Sequence, residues 1–337
     1  YFFKSYLLII LNKMTPSNDL YNLIKSLTTP EKIFFKLNYS GKRVGGKACI
    51  KLYDAIDKQI RSAKGGEKYD EGKIKKQLGT SADTRLFSVI KNQLFHLILD
   101  TLCSYYPDDL PDFTVLQMIE KAKILNNKQL TNSAYKLIRK AKQEALKNEL
   151  FPEALQALEL ERKIIRFKDT EVYEQLIADN LAEEKSVIEK HNNLTEYVHL
   201  QSKMFKMYRT NIIVRNEHTI NFFKEMLQHH LLQNESSALS FRAKYFFYSR
   251  KVICYRHLSD PTYGESGMEK AYQYAQKLLS IFESEPMANY RIIMYMNTLH
   301  QMAIIQSFFG KLTDSMQSIR KIRDIGKSYP QFFRSIP

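Results

Sequence analysis

His229 and His230 are the one adjacent pair of imidazoles in the chain. Successive helical positions point about 100° apart, which is poor geometry for gripping a single metal ion, and no His-Glu-x-x-His run supplies an alternative. Cys49, Cys103 and Cys254 lie far apart without Cys-x-x-Cys spacing and read as small hydrophobic residues. Acids are plentiful, but Glu183-Glu184 and Glu171 to Glu174 have the pattern of solvated helix charges rather than of an acid/base pair. No catalytic, cofactor-binding or metal-ligating residue is therefore assigned. The expectation is a protein that is not an enzyme and carries no cofactor.

Two basic segments merit separate treatment. Gly41-Lys42-Arg43-Val44-Gly45-Gly46-Lys47-Ala48 matches the phosphate-loop pattern GxxxxGK up to its last position, where Ala48 replaces the hydroxyl that would ligate magnesium. A phosphate loop also needs a buried strand in front of it, and here a helix is expected to end at Asn38-Tyr39-Ser40. The run reads as a basic loop. Further on, Ile74 to Ser81 followed by Thr84 places a short helix, a glycine turn and a second helix start in the order of a helix-turn-helix. Lys75 stands where a small packing residue is wanted and Arg85 where an apolar one is. A nucleic-acid-binding or transcriptional regulator using this corner at 74–86 is accordingly the second functional reading.

The first reading rests on the stretch from Ser236 to His257. Ala238, Phe241, Tyr245, Tyr248, Val252 and Tyr255 follow a 3-4-3-4-3 spacing that lines one helical face. Arg242, Lys244, Arg250, Lys251 and Arg256 are expected to lie off that seam, a combination suited to an acidic amphipathic partner. These five are the candidate partner-binding residues.

The elements that must carry such residues are helices. Seven of the eleven glycines lie between Gly41 and Gly79, and neither Gly nor Pro occurs from Glu153 to Asp260. That run lacks the residues that punctuate strands and hairpins. Helices are predicted near 18–28, 30–38, 48–63, 71–78, 82–105, 113–126, 130–148, 152–167, 171–190, 193–210, 216–232, 236–257, 267–284, 287–309 and 312–326. Pro107 and Pro111 bracket an acidic loop that serves as the domain boundary: an N-terminal helical unit over 14–106 and a repeat region over 107–337. Residues 1–13 precede Met14, the first methionine, and are expected to be a leader outside the fold.

Composition narrows the class. The chain has 337 residues, 44% of them hydrophobic and 26% charged, enough apolar content for a substantial core. Three Cys argue against a disulfide-stapled secreted scaffold, and no apolar run approaches the ~20 residues of a membrane span, so a cytoplasmic protein is expected. The formal net charge of +15 permits an acidic protein partner or, less readily, nucleic acid. It contains no uninterrupted basic block and reads mainly as lysine-rich helix faces.

Several segments resemble tetratricopeptide repeats, helix pairs of about 34 residues in which small side chains let the two helices approach. Ala134-Tyr135-Lys136-Leu137-Ile138-Arg139-Lys140-Ala141 resembles a second helix of such a pair. Ala271, Ala275 and Leu278 repeat the spacing, and Gly310-Lys311-Leu312 with Ser315, Ile319 and Ile322 resembles a turn and its following helix. The front of the chain, from Ser26 to Leu37 and then Lys51 to Ile56, is similar to uncharacterised bacterial helical-repeat proteins. The pattern is degenerate: the intervals between these segments are not multiples of the repeat, and the chain has no Trp. The resemblance implies an all-α fold of antiparallel helix pairs stacked as an irregular, TPR-like α-solenoid behind an N-terminal helical unit. It imports no activity. The function expected of such a fold is a non-enzymatic protein–protein interaction scaffold whose groove binds a peptide or partner helix.

Overall fold

The structure, a computed structural model, describes residues 17–39, 46–62, 69–78, 84–105, 111–166, 170–210, 217–259, 266–283 and 289–329. Among these residues every regular element is helical, fourteen α-helices and two 3-10 turns, so the all-α class holds. The expected leader at 1–13, residues 41–45 of the glycine-rich run and residues 79–83 of the helix-turn-helix-like corner lie outside the described residues. The chain divides into two compact units, Tyr1–Leu110 and Pro111–Pro337.

The first unit contains α1 (Ser17–Ser26), α2 (Thr29–Tyr39), α3 (Gly46–Ser62), α4 (Glu71–Gln77) and α5 (Thr84–Tyr105). Pro30 sits in the first turn of α2, where its missing N–H costs nothing, and the Glu31 carboxylate reaches back to accept the Thr28 N–H. Apolar pairs one turn apart, Leu20/Ile24, Leu52/Ile56 and Leu94/Ile98, face a shared core with Phe35, Tyr53 and Phe87. Asp57 is buried beside that core. It accepts from Lys32 of α2 at 2.7 Å and from Arg61 one turn along α3, which ties the two helices together.

The second unit runs α6 (Pro111–Asn127), α7 (Thr131–Lys147), α8 (Phe151–Ile165), α9 (Thr170–Thr210), α10 (Glu217–Gln228), α11 (Phe241–His257), α12 (Ser266–Glu283), α13 (Asn289–Phe308) and α14 (Leu312–Ser328). One turn geometry recurs three times, between α6 and α7, α7 and α8, and α13 and α14. At each, a residue with positive φ (Gln129 62°, Glu149 52°, Gly310 70°) reverses the chain. The next residue then returns its N–H to a carbonyl five positions back: Leu130 to Leu125 at 3.0 Å, Leu150 to Ala145 at 2.9 Å, Lys311 to Gln306 at 2.9 Å. This six-to-one bond satisfies a helix-end carbonyl and folds the next helix back alongside its predecessor. Close approach is possible because the facing positions are small. Ala134, Ala141 and Ala145 of α7 and Ala154 and Ala157 of α8 are completely buried.

Two expected boundaries moved. A break was predicted at 191–192, yet α9 is continuous over 41 residues. The reason is that Asn193 spends its side chain on another segment, donating to the Ser237 carbonyl (2.8 Å) and accepting the Leu239 N–H (3.1 Å), and so does not compete with its own helix. The helix predicted from 236 begins instead at Phe241, capped by Ser240 whose hydroxyl accepts the Ala243 N–H at 3.2 Å. Residues Glu235–Ser237 form a separate 3-10 turn.

Candidate functional site

The five cations expected to flank α11 do not form one surface. Arg250 and Lys251 retain only 9% and 8% of their exposure and lie inside the unit, a correction to the expectation that they project from the seam. The guanidinium of Arg250 stands 5.6 Å from the Phe246 ring centre. The Lys251 ammonium is 4.7 Å from the ring centres of both Phe247 and Tyr274 and donates to the Tyr274 hydroxyl at 3.2 Å. Arg256 donates to Gln301 of α13 at 2.6 Å, Arg242 is half-buried with its backbone N–H held by Glu149, and Lys244 alone is fully exposed. The physical cause is that α11 is enclosed on most sides: Phe246 and Phe247 extend the apolar seam, and α9, α10, α12 and α13 all pack on the helix. Long cationic stems then lie along aromatic faces inside the fold. Burial also pushes the Cys254 thiol on this helix up to about 12.

The corner at 74–86 is partly committed to structure as well. Glu71 opens α4 and accepts from Lys75 at 2.8 Å and from the buried Lys91 of α5 at 2.7 Å. Burial alone would raise the Glu71 carboxyl, but the hydrogen bonds and charges of Lys75 and Lys91 more than reverse this and hold it below the usual range. Lys75, half-buried, lies 5.0 Å from the centre of the Phe87 ring and so braces α4 against α5 instead of projecting freely from the corner. Lys76 and Arg85 remain exposed. On the opposite side of α4, an open groove of about 550 Å³ separates it from α3, lined by Lys58, Lys73 and Lys76 among others.

His229 and His230 stack face to face at 4.5 Å, and His229 Nδ1 accepts the Leu231 N–H at 3.3 Å, capping the His230–Leu232 turn. Burial, then the neighbouring His230 and Lys203, lower the His229 imidazole below its ordinary value. Among the described residues no three His, Cys, Asp or Glu side chains are grouped to hold a metal ion, and no helix is long and apolar enough to cross a membrane.

A surface that sequence reasoning passed over is the outer face of α14. Ser315 and Ser318 turn inward, donating to the Ala303 carbonyl (2.9 Å) and to Gln306 (3.0 Å) of α13. That rotation leaves Leu312 (64%), Met316 (50%) and Ile319 (41%) exposed in an i, i+4, i+7 row. Arg323 and Lys327 continue the same face and Arg320 flanks it, all exposed. The signal was present as serines beside an apolar row, and which of the two is buried is visible only once the packing partner is known. No family model, curated protein or solved structure matches the chain.

Proposed function

We propose that the chain is a non-enzymatic protein-interaction module, and that its second unit is an irregular TPR-like stack of helix pairs which holds the acidic amphipathic helix of a partner protein against α14. What carries this reading is the exposed apolar row Leu312, Met316, Ile319 running into Arg320, Arg323 and Lys327. A partner helix with an apolar stripe and acidic flanks matches both halves of that face, the stripe supplying affinity and the charges register. Arg320 and Arg323 have no carboxylate within ion-pair distance among the described residues, so they are available to an incoming acid.

The test is fluorescence anisotropy with two labelled model peptides of the same amphipathic helix, one carrying Glu and the other Lys on its polar face. The Glu peptide binds the native chain and the Lys peptide does not. M316E/I319E abolishes binding, and R320E/R323E exchanges the preference toward the Lys peptide. Indifference to peptide charge, or undiminished binding after M316E/I319E, removes α14 as the site.

A further inference from the structure

We infer that the groove between α3 and α4 in the first unit binds a small polyphosphate anion. This site is separate from the α14 face and does not depend on it. Three lysines line one open concavity of about 550 Å³, Lys58 from α3 and Lys73 and Lys76 from α4. Lys73 and Lys76 are three residues apart and so share a face of their helix. Like charges gathered in a cleft repel one another and raise the local concentration of anions.

The described acids of α3 and α4 are already engaged. Asp54 pairs with Lys36, Asp57 with Lys32 and Arg61, and Glu71 with Lys75 and Lys91. Asp70 accepts the Lys73 N–H at 3.0 Å as the α4 cap, and its other oxygen stands 3.8 Å from the Lys73 ammonium. Lys58 and Lys76 have no carboxylate within ion-pair distance among the described residues. Two lysines of one concavity, Lys58 and Lys76, that find no acid among the described residues are an arrangement an anionic ligand completes.

The lining sets the class of ligand. The volume is that of a small-molecule site. Ile74 lies between the lysines, and Gln59 and Gln77 add amide groups, but the described lining residues include no aromatic ring and no arginine. A nucleobase therefore finds no stacking platform and a single phosphate no bidentate fork, whereas three separate point charges suit several phosphates in a row. Recognition is of charge density, shared by inorganic polyphosphate and by the phosphate chain of a nucleotide.

Isothermal titration calorimetry of the full chain with inorganic tripolyphosphate, ATP and orthophosphate tests this. Tripolyphosphate binds and orthophosphate does not. K58Q/K76Q weakens tripolyphosphate about tenfold or more, K58R/K76R restores it, and K121Q/K128Q, an exposed pair of the second unit, leaves it unchanged. ATP binding as tightly as tripolyphosphate identifies nucleotides as a source of the ligand; ATP binding much more weakly restricts it to free polyphosphate. The inference is overturned if the native chain does not bind tripolyphosphate, or if K121Q/K128Q weakens it as much as K58Q/K76Q, which would reduce the effect to net charge. It is equally overturned if duplex DNA binds through Lys58 and Lys76 more tightly than tripolyphosphate at the same salt concentration.

Discussion

The Glu149 carboxylate accepts the backbone N–H of Phe241 at 2.5 Å, and with its other oxygen that of Arg242 at 2.9 Å, across 92 residues of sequence in the first case. Glu149 is the positive-φ residue of the turn between α7 and α8, so one side chain both reverses a hairpin and caps the N-terminus of α11. The positions of the three recurring turns thereby acquire different roles. Gly310 adopts the left-handed conformation without penalty, Gln129 tolerates it, and Glu149 is held in it by what its carboxylate does elsewhere.

Glycine at the two non-glycine turns separates these effects. Gln129 is exposed, and Q129G relieves the left-handed conformation alone; it is expected to raise stability by about 1 kcal/mol. E149G relieves the same conformation but orphans two helix N–H groups, and is expected to lower stability by about 1–2 kcal/mol. Urea denaturation of both variants checks the opposition in sign. Two shifts in the same direction would detach the cap from the stability of α11.

The first unit should be acid-sensitive through Asp57. Burial would raise this carboxyl, but the hydrogen bonds and charges of Lys32 and Arg61 more than reverse that and hold it below its ordinary value of 3.8. A carboxyl lowered in the folded state contributes stability that is present above its ordinary value and lost as pH falls through the folded value. K32M removes the main compensating donor, so α3 amides should lose hydrogen-exchange protection at a higher pH than in the native chain.

In the second unit the sign is reversed at Lys142, which pairs with the buried Glu161 at 2.7 Å and with Glu183 at 2.6 Å. Burial would lower the Lys142 ammonium, and the two carboxylates outweigh it and raise it above its ordinary value of 10.5. The stabilisation is complete below that value and is lost as pH rises through the folded one. K142M leaves Glu161 with only the Asn180 amide, at 3.0 Å, and is expected to cost about 3 kcal/mol at neutral pH. Urea midpoints measured at neutral and strongly alkaline pH should fall with pH in the native chain and much less in the variant.

The three cysteines should divide by reactivity. Cys103 is exposed, while burial raises both the Cys49 and the Cys254 thiols and keeps them protonated and inaccessible. A thiol-reactive chromophore is expected to label one cysteine of the native chain rapidly and the other two only on unfolding. Rapid labelling of Cys254 would place α11 nearer the surface than its packing implies.

The kind of element and much of its placement are legible in composition and spacing. Absence of Gly and Pro from 153 to 260, with apolar residues at helical spacing, leaves a chain no regular structure but helix. Pro30 in the first turn of α2 is local chemistry, legible without a partner in view, whereas the Ser240 cap was overrun by the helix predicted from 236. Local signals also misled where a side chain acts at a distance. The break predicted between 190 and 193 is absent because Asn193 is occupied by Ser237 and Leu239 and the helix runs through.

Which faces remain exposed depends instead on packing between distant segments. Arg250 and Lys251 resemble surface cations in sequence, but they lie among the rings of Phe246, Phe247 and Tyr274 because neighbours enclose α11. Leu312, Met316 and Ile319 resemble core, but small serines make the contact with α13 and leave them outside. Likewise, Lys58 and Lys76 share a groove only because the spent acids and the packing of α3 against α4 put them there. Periodicity reports how apolar a face is, whereas exposure depends on what packs against it, and that is set by contacts between residues distant in sequence.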